Sequence, residues 1–139
     1  MKRLLLLMLL FGMVVTLSPG YAMAYSGPSY YAMGSMNGVK YLAGGVGLSE
    51  RTHMQEMAND YNVKMVFADS AGAYLSNVGV EIQNSNRNNL LQTYSNGPWF
   101  FAKLPAGQYT ITVTHDGKTK TRKLVVSKAS QEMTFHLPA

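Results

Sequence analysis

Between Tyr109 and Thr114 apolar and polar positions alternate strictly, with Tyr109, Ile111 and Val113 in one set and Thr110, Thr112 and Thr114 in the other. A period of two places one set on each face of a strand, so this segment predicts a half-buried strand with a threonine-rich outer face. Asp116-Gly117 follows, a dipeptide suited to the positive φ angles of a type I′ turn, and Lys118 to Val126 reads as the returning strand of an antiparallel hairpin. Upstream, Asn96-Gly97-Pro98 and Leu104-Pro105-Ala106-Gly107 are turn chemistry, which leaves Trp99 to Lys103 as a short strand between them. The same alternation marks Val63, Met65 and Phe67, then Val78, Val80 and Ile82, and finally Met133, Phe135 and Leu137. Leu90 to Tyr94 reads as a further strand after the polar loop 84–89. About seven short strands with closely spaced turn signals is the pattern of an antiparallel β-sandwich.

Ahead of the strands the period changes. Met54, Met57, Ala58 and Tyr61 fall at i, i+3, i+4 and i+7, one apolar stripe of a helix that should lie on the sheet, with methionine as gap-filling core. Ser49 is the expected N-cap and Glu50 the first-turn acid of a helix from Glu50 to about Asn59. Residues 25–47 show neither period and are rich in Gly, Ser, Tyr and Met, so they read as an irregular arm. The chain thus divides into a leader (1–24), the arm (25–47), the helical segment (48–61) and the sandwich (62–139).

The phrase Trp99-x-Phe101-x-x-Leu104-Pro105-x-Gly107-x-Tyr109 resembles the signature of carboxypeptidase regulatory-like domains, whose sandwich is transthyretin-like. The resemblance runs over roughly 61–137, with Val63 to Ala68, the turn Asp69-Ser70-Ala71-Gly72, and Val78 to Ile82 matching the preceding strand pair. Gly44 to Glu50 with the following helix and Tyr61 to Phe67 is similar to small exported bacterial proteins that carry such a domain. The resemblance implies an accessory module and not a catalytic part. The acidic turn usual before the aromatic strand is Asn96-Gly97-Pro98 here, which argues against a cation at that place.

Composition adds an address. Lys2-Arg3, an apolar run from Leu4 to Leu17 and then Ala22-Met23-Ala24 form the charged, hydrophobic and small-residue order of a Sec-type secretory signal, with cleavage expected after Ala24. The run is short for a membrane span of about 20 residues and no second one follows, so the mature chain is expected in the periplasm or outside the cell, with no integral span. There is no cysteine, hence no disulfide and no thiol nucleophile. Loss of Lys2 and Arg3 with the leader lowers the formal net charge of +5 by two, a mild basic balance.

Candidate chemistry is sparse. The three histidines, His53, His115 and His136, have no ligand spacing, and the sequence holds no Gly-x-Ser-x-Gly elbow, so no catalytic residue, metal or cofactor is expected. Asp69 and Asp116 read as turn formers. Gly44-Gly45-Val46-Gly47 before a helix is either an anion cradle or a joint between arm and helix, and without the phosphate-loop pattern the joint is favoured. Candidate partner contacts are Phe100, which alternation sets opposite Trp99 and Phe101, a pair the resemblance implies to be in the core, and the arm tyrosines Tyr30, Tyr31 and Tyr41. Lys118, Lys120, Arg122 and Lys123 on the return strand either meet an anionic partner or guard a sheet edge. Nucleic acid is not expected, since no aromatics interleave this stretch to stack bases. The resulting expectation is a non-enzymatic envelope module that binds a protein partner. The alternatives are a carbohydrate-binding module, which needs exposed aromatics, and a purely structural or homo-oligomeric protein.

Overall fold

The computed structural model describes residues 31–138 as two packed β-sheets with one short helix on the outer face of the first. In chain order the elements are β1 (Ala32–Met36), β2 (Val39–Gly44), α1 (Leu48–Met57), a 3₁₀ turn (Ala58–Asp60), β3 (Val63–Asp69), β4 (Val78–Asn84), β5 (Asn89–Ser95), β6 (Trp99–Lys103), β7 (Gly107–His115), β8 (Lys118–Val126) and β9 (Gln131–Leu137). The first sheet has the order β1-β2-β6-β3-β9 and the second β5-β4-β7-β8. All pairs are antiparallel except β3 with β9. β9 runs parallel because it returns to the first sheet from the end of β8 in the second.

The alternating residues meet between the sheets. Val63, Met65 and Phe67 of β3 and Phe135 and Leu137 of β9 face Val78, Val80 and Ile82 of β4 and Ile111 and Val113 of β7, all without meaningful exposure. The Asp116-Gly117 turn has the expected positive φ angles of 49° and 74°. Asp69 accepts from the Ala71 and Ala73 amides through Oδ1 at 2.9 and 2.8 Å, so it is the turn former its sequence suggests. The Leu104-Pro105-x-Gly107-x-Tyr109 phrase folds back on itself, with the Tyr109 hydroxyl donating to the Pro105 carbonyl at 2.6 Å. Burial raises the Tyr109 pKa and keeps that donor protonated.

Two expectations are corrected here. The segment 25–47 is not an irregular arm over 32–44, where β1 and β2 form a hairpin that extends the first sheet beside β6. Its turn is Asn37-Gly38, with φ of 49° and 78°, the same type I′ chemistry as Asp116-Gly117. The alternation of β6 is also inverted. Phe100 is wholly buried between the sheets, while Phe101 and the half-buried Trp99 face the other side, against Leu42, Met54, Ala58, Met57 and Tyr61. The cause is α1, whose apolar stripe lies on that outer face. β6 is therefore covered on both sides, and a period of two says which residues share a face without saying which face meets the second sheet.

The helix begins two residues earlier than expected, with Gly47 and not Ser49 as N-cap. The buried Glu50 accepts the Gly45 amide at 2.7 Å, and Arg51 Nε donates to the Gly45 carbonyl at 2.7 Å. The glycine loop 44–47 thus spends its backbone groups on its own helix, which clamps α1 to β2. Asn62 closes the other end of this layer by exchanging two hydrogen bonds with the Leu104 backbone, at 2.7 and 2.9 Å.

Candidate functional site at the edge of the first sheet

A two-sheet sandwich has four strand edges; here two are guarded by charge and a third is met by a side chain at one end. Along β9, Lys120 Nζ donates to the His136 carbonyl at 3.1 Å and Arg122 to the Thr134 carbonyl at 3.2 Å. β8 carries those cations itself, Lys120 and Arg122 sharing the inward face with Val113 and Ile111, which they oppose in register. Inward-pointing charge on an edge strand blocks addition of another chain. At β5 the Asn37 amide donates to the Leu90 carbonyl at 3.0 Å and lies 3.4 Å from that of Asn89. β1 has no such device. Its sequence Ala-Met-Gly-Ser-Met contains no charge and no proline, and no described strand pairs with its outer edge.

The hairpin geometry sets which groups that edge presents. Met36 and Val39 flank a two-residue turn and exchange hydrogen bonds, so by alternation Gly34 and Tyr41 also form a bonded pair, whereas Met33 and Ser35 direct their N–H and C=O groups away from β2. Gly34 is needed for a separate reason. A Cβ there would lie 2.6 Å from Tyr41 Cε1, because the tyrosine ring passes over Gly34 to stack on Phe100 with centroids 5.5 Å apart. The bare edge thus rests on an aromatic pair anchored in the core.

Beside the edge lies an open cleft of about 590 Å³ between the hairpin and the 3₁₀ turn, lined by Met33, Ser35, Lys40, Asp60, Tyr61 and Lys103 among others. Lys40 and Lys103 stand directly opposite one another in the β2–β6 register. Like charges so placed repel, and among the described residues no carboxylate comes within ion-pairing distance of either. Burial, aided by the Asp60 charge, raises the Tyr61 pKa, so its hydroxyl is a neutral donor in this cleft. Met33, 63% exposed, gives the cleft an adaptable apolar lip.

Against this site the sequence-based candidates divide. Tyr41 belongs to it as the support under Gly34. Tyr31 is half-buried against the Leu42 and Met54 cluster, and Tyr30 lies outside the described residues, as does the whole leader. Phe100 is no surface contact, since the core encloses it. The basic stretch does not form one patch. Lys118, Lys120 and Arg122 share the inward parity of β8, with Lys120 and Arg122 spent on β9, while Lys123 stands on the outer face opposite Thr110. The edge site itself was missed, and the signal for it was Asn37-Gly38 followed by Val39 and Tyr41.

Among the described residues no three of His, Asp and Glu gather to hold a metal. His53 and His136 each place Nδ1 within 3.1 Å of a backbone carbonyl, those of Ser49 and Asp69, and His115 pairs with Asp116 at 3.4 Å. No helix among the described residues is long and apolar enough to cross a membrane. Compared with models of known protein families and with characterised proteins, the chain matches none.

Proposed function

We propose that the protein is a non-enzymatic interaction module of the cell envelope, which engages a protein partner by strand addition at β1. The observation that carries this reading is that charge guards the β8 and β9 edges and Asn37 meets the start of β5, whereas β1 carries no guard and is braced from beneath by Tyr41. An exposed edge supplies a ready row of backbone donors and acceptors, and strand addition is a recurrent way of capturing extended peptide. The secretory order of residues 1–24 supports the address, and the Leu104 to Tyr109 phrase supports an accessory sandwich of the carboxypeptidase regulatory-like kind. Ser35→Pro tests the reading, because it removes one outward N–H while leaving the β1–β2 hydrogen bonds intact. Partners retained from an envelope extract by the wild type should be lost by this variant at unchanged thermal stability. Equal retention by both would sink strand addition.

One observation favours carbohydrate as a second ligand class. Tyr94, 78% exposed, lies across from Gly79 on the outer face of the second sheet, where Glu81, Gln92, Thr112 and Thr114 surround a shallow depression. A ring face flanked by planar polar groups suits a sugar. Tyr94→Ala should then abolish retention on immobilised envelope polysaccharide without lowering the melting temperature, and indifferent retention would remove this reading.

A further inference from the structure

We infer that the β1 edge selects an acidic, amphipathic extended segment, in which a carboxylate side chain and a large apolar side chain alternate on one face. This rests on the strand-addition reading and names the chemistry of the partner. The selectivity follows from rows of residues that cross the first sheet perpendicular to its strands. One row runs Ser35–Lys40–Lys103, and the next on the same face runs Met33–Leu42–Phe101. An added strand extends both rows by one residue, and side chains opposite one another in register share a face.

In the first row the residue added beyond Ser35 stands two strands from Lys40, about 10 Å between backbones. Serine is short enough to leave the space above it open, and the Lys40 ammonium on its flexible four-carbon stem reaches across it toward a carboxylate in the incoming strand. Lys103 sits directly behind, so the repulsion between the two lysines falls when an anion arrives. Asp60 on the far wall of the cleft does not neutralise them, being beyond ion-pairing distance of both. In the second row the residue added beyond Met33 meets an exposed thioether backed by the buried Leu42, which favours an apolar side chain. The two demands fall two residues apart on the incoming chain, the spacing at which side chains of a strand share a face. On the opposite face the incoming residue meets Gly34 and the edge of the Tyr41 ring, a position for a medium apolar side chain.

A second copy of this chain fits these demands less well. The β1 sequence has no acid to offer Lys40, so self-pairing would leave both lysine pairs uncompensated.

The test uses two fluorescein-labelled probe peptides, SGTLVEVLTGS and SGTLVKVLTGS, whose symmetric apolar flanks serve either strand direction. Their binding to the purified protein is measured by fluorescence anisotropy. The wild type is expected to bind the glutamate peptide at least tenfold more tightly than the lysine peptide, with the gap shrinking as salt rises. Lys40→Glu, at an exposed position, should invert the preference, and Ser35→Pro should remove binding of both. Equal binding of the two peptides, lost in Ser35→Pro, would overturn the acidic selection while leaving strand addition standing. A glutamate preference that survives Ser35→Pro would overturn the placement at the edge. Failure of both peptides to bind at millimolar concentration would overturn selection and strand addition together. Elution of the wild type as a dimer that Ser35→Pro breaks would assign the edge to a second copy instead.

Discussion

Phe100→Ala should unfold more of this protein's stability than any surface change, costing about 3–5 kcal/mol. The ring has no exposed surface and sits on β6, the central strand of the first sheet, in register with Ala43 on one side and Met65 on the other. Both neighbours point into the same core, and neither alanine nor an already packed methionine can expand to fill the space. Tyr41 would lose the face on which it stacks, and its ring is what braces Gly34 at the sheet edge. A drop in melting temperature on the order of 10–20 °C is expected. Tyr94→Ala, on an exposed ring, should stay within about 0.5 kcal/mol of the wild type in the same thermal scan. A melting temperature for Phe100→Ala equal to that of the wild type would mean that the ring points outward after all. The substitution is therefore unsuited to testing partner binding, because loss of binding would follow from loss of the edge's support.

That reversal shows what the sequence could and could not reveal. The strands of the second sheet were legible because each has one wet face. Thr110, Thr112 and Thr114 mark the outside of β7, and Val78, Val80 and Ile82 the inside of β4. The first sheet is covered by α1 on part of its outer face, so Trp99, Phe100 and Phe101 are all apolar and the alternation loses its sign. The helical stripe Met54, Met57, Ala58 and Tyr61 was legible for the opposite reason, since only one face of α1 is dry.

β1 was hidden by composition. Glycine and serine at its centre are poor strand formers alone, and they are tolerated because Tyr41 packs over Gly34 and because β2 supplies the ladder. The guarding of β9 by Lys120 and Arg122 was visible only as a basic run, because their partners are backbone carbonyls, which no side-chain pattern announces. The candidate site was the least legible part, for it consists of a missing guard, and an edge can be seen to be bare only after the other three have been placed.

Gly97→Ala is the second substitution expected to have a large effect, on the order of 3 kcal/mol. Gly97 lies in the turn before β6, pressed against the end of β2 where Gly44 pairs with Trp99. A methyl group at Gly97 would overlap the Gly44 carbonyl and lie 2.9 Å from Gly44 Cα. All of these are backbone atoms, so no side-chain rotation relieves the overlap. Separation of β2 from the turn is the remaining route, and it pulls on two further restraints. One is the bond from the buried Ser95 hydroxyl to the Gly97 carbonyl, at 2.7 Å, and the other is the grip of Glu50 on the Gly45 amide. Gly38→Ala provides the comparison. Its φ of 78° disfavours alanine, but a Cβ there meets nothing within 4 Å, so its cost is conformational alone, about 1–2 kcal/mol. Urea unfolding of the two variants should rank Gly97→Ala clearly below Gly38→Ala, and hydrogen exchange should show the Gly45 amide losing protection only in the former. The reverse ranking would mean that β2 and the turn are not in contact, and with them the clamp that holds α1 over the outer face of β6.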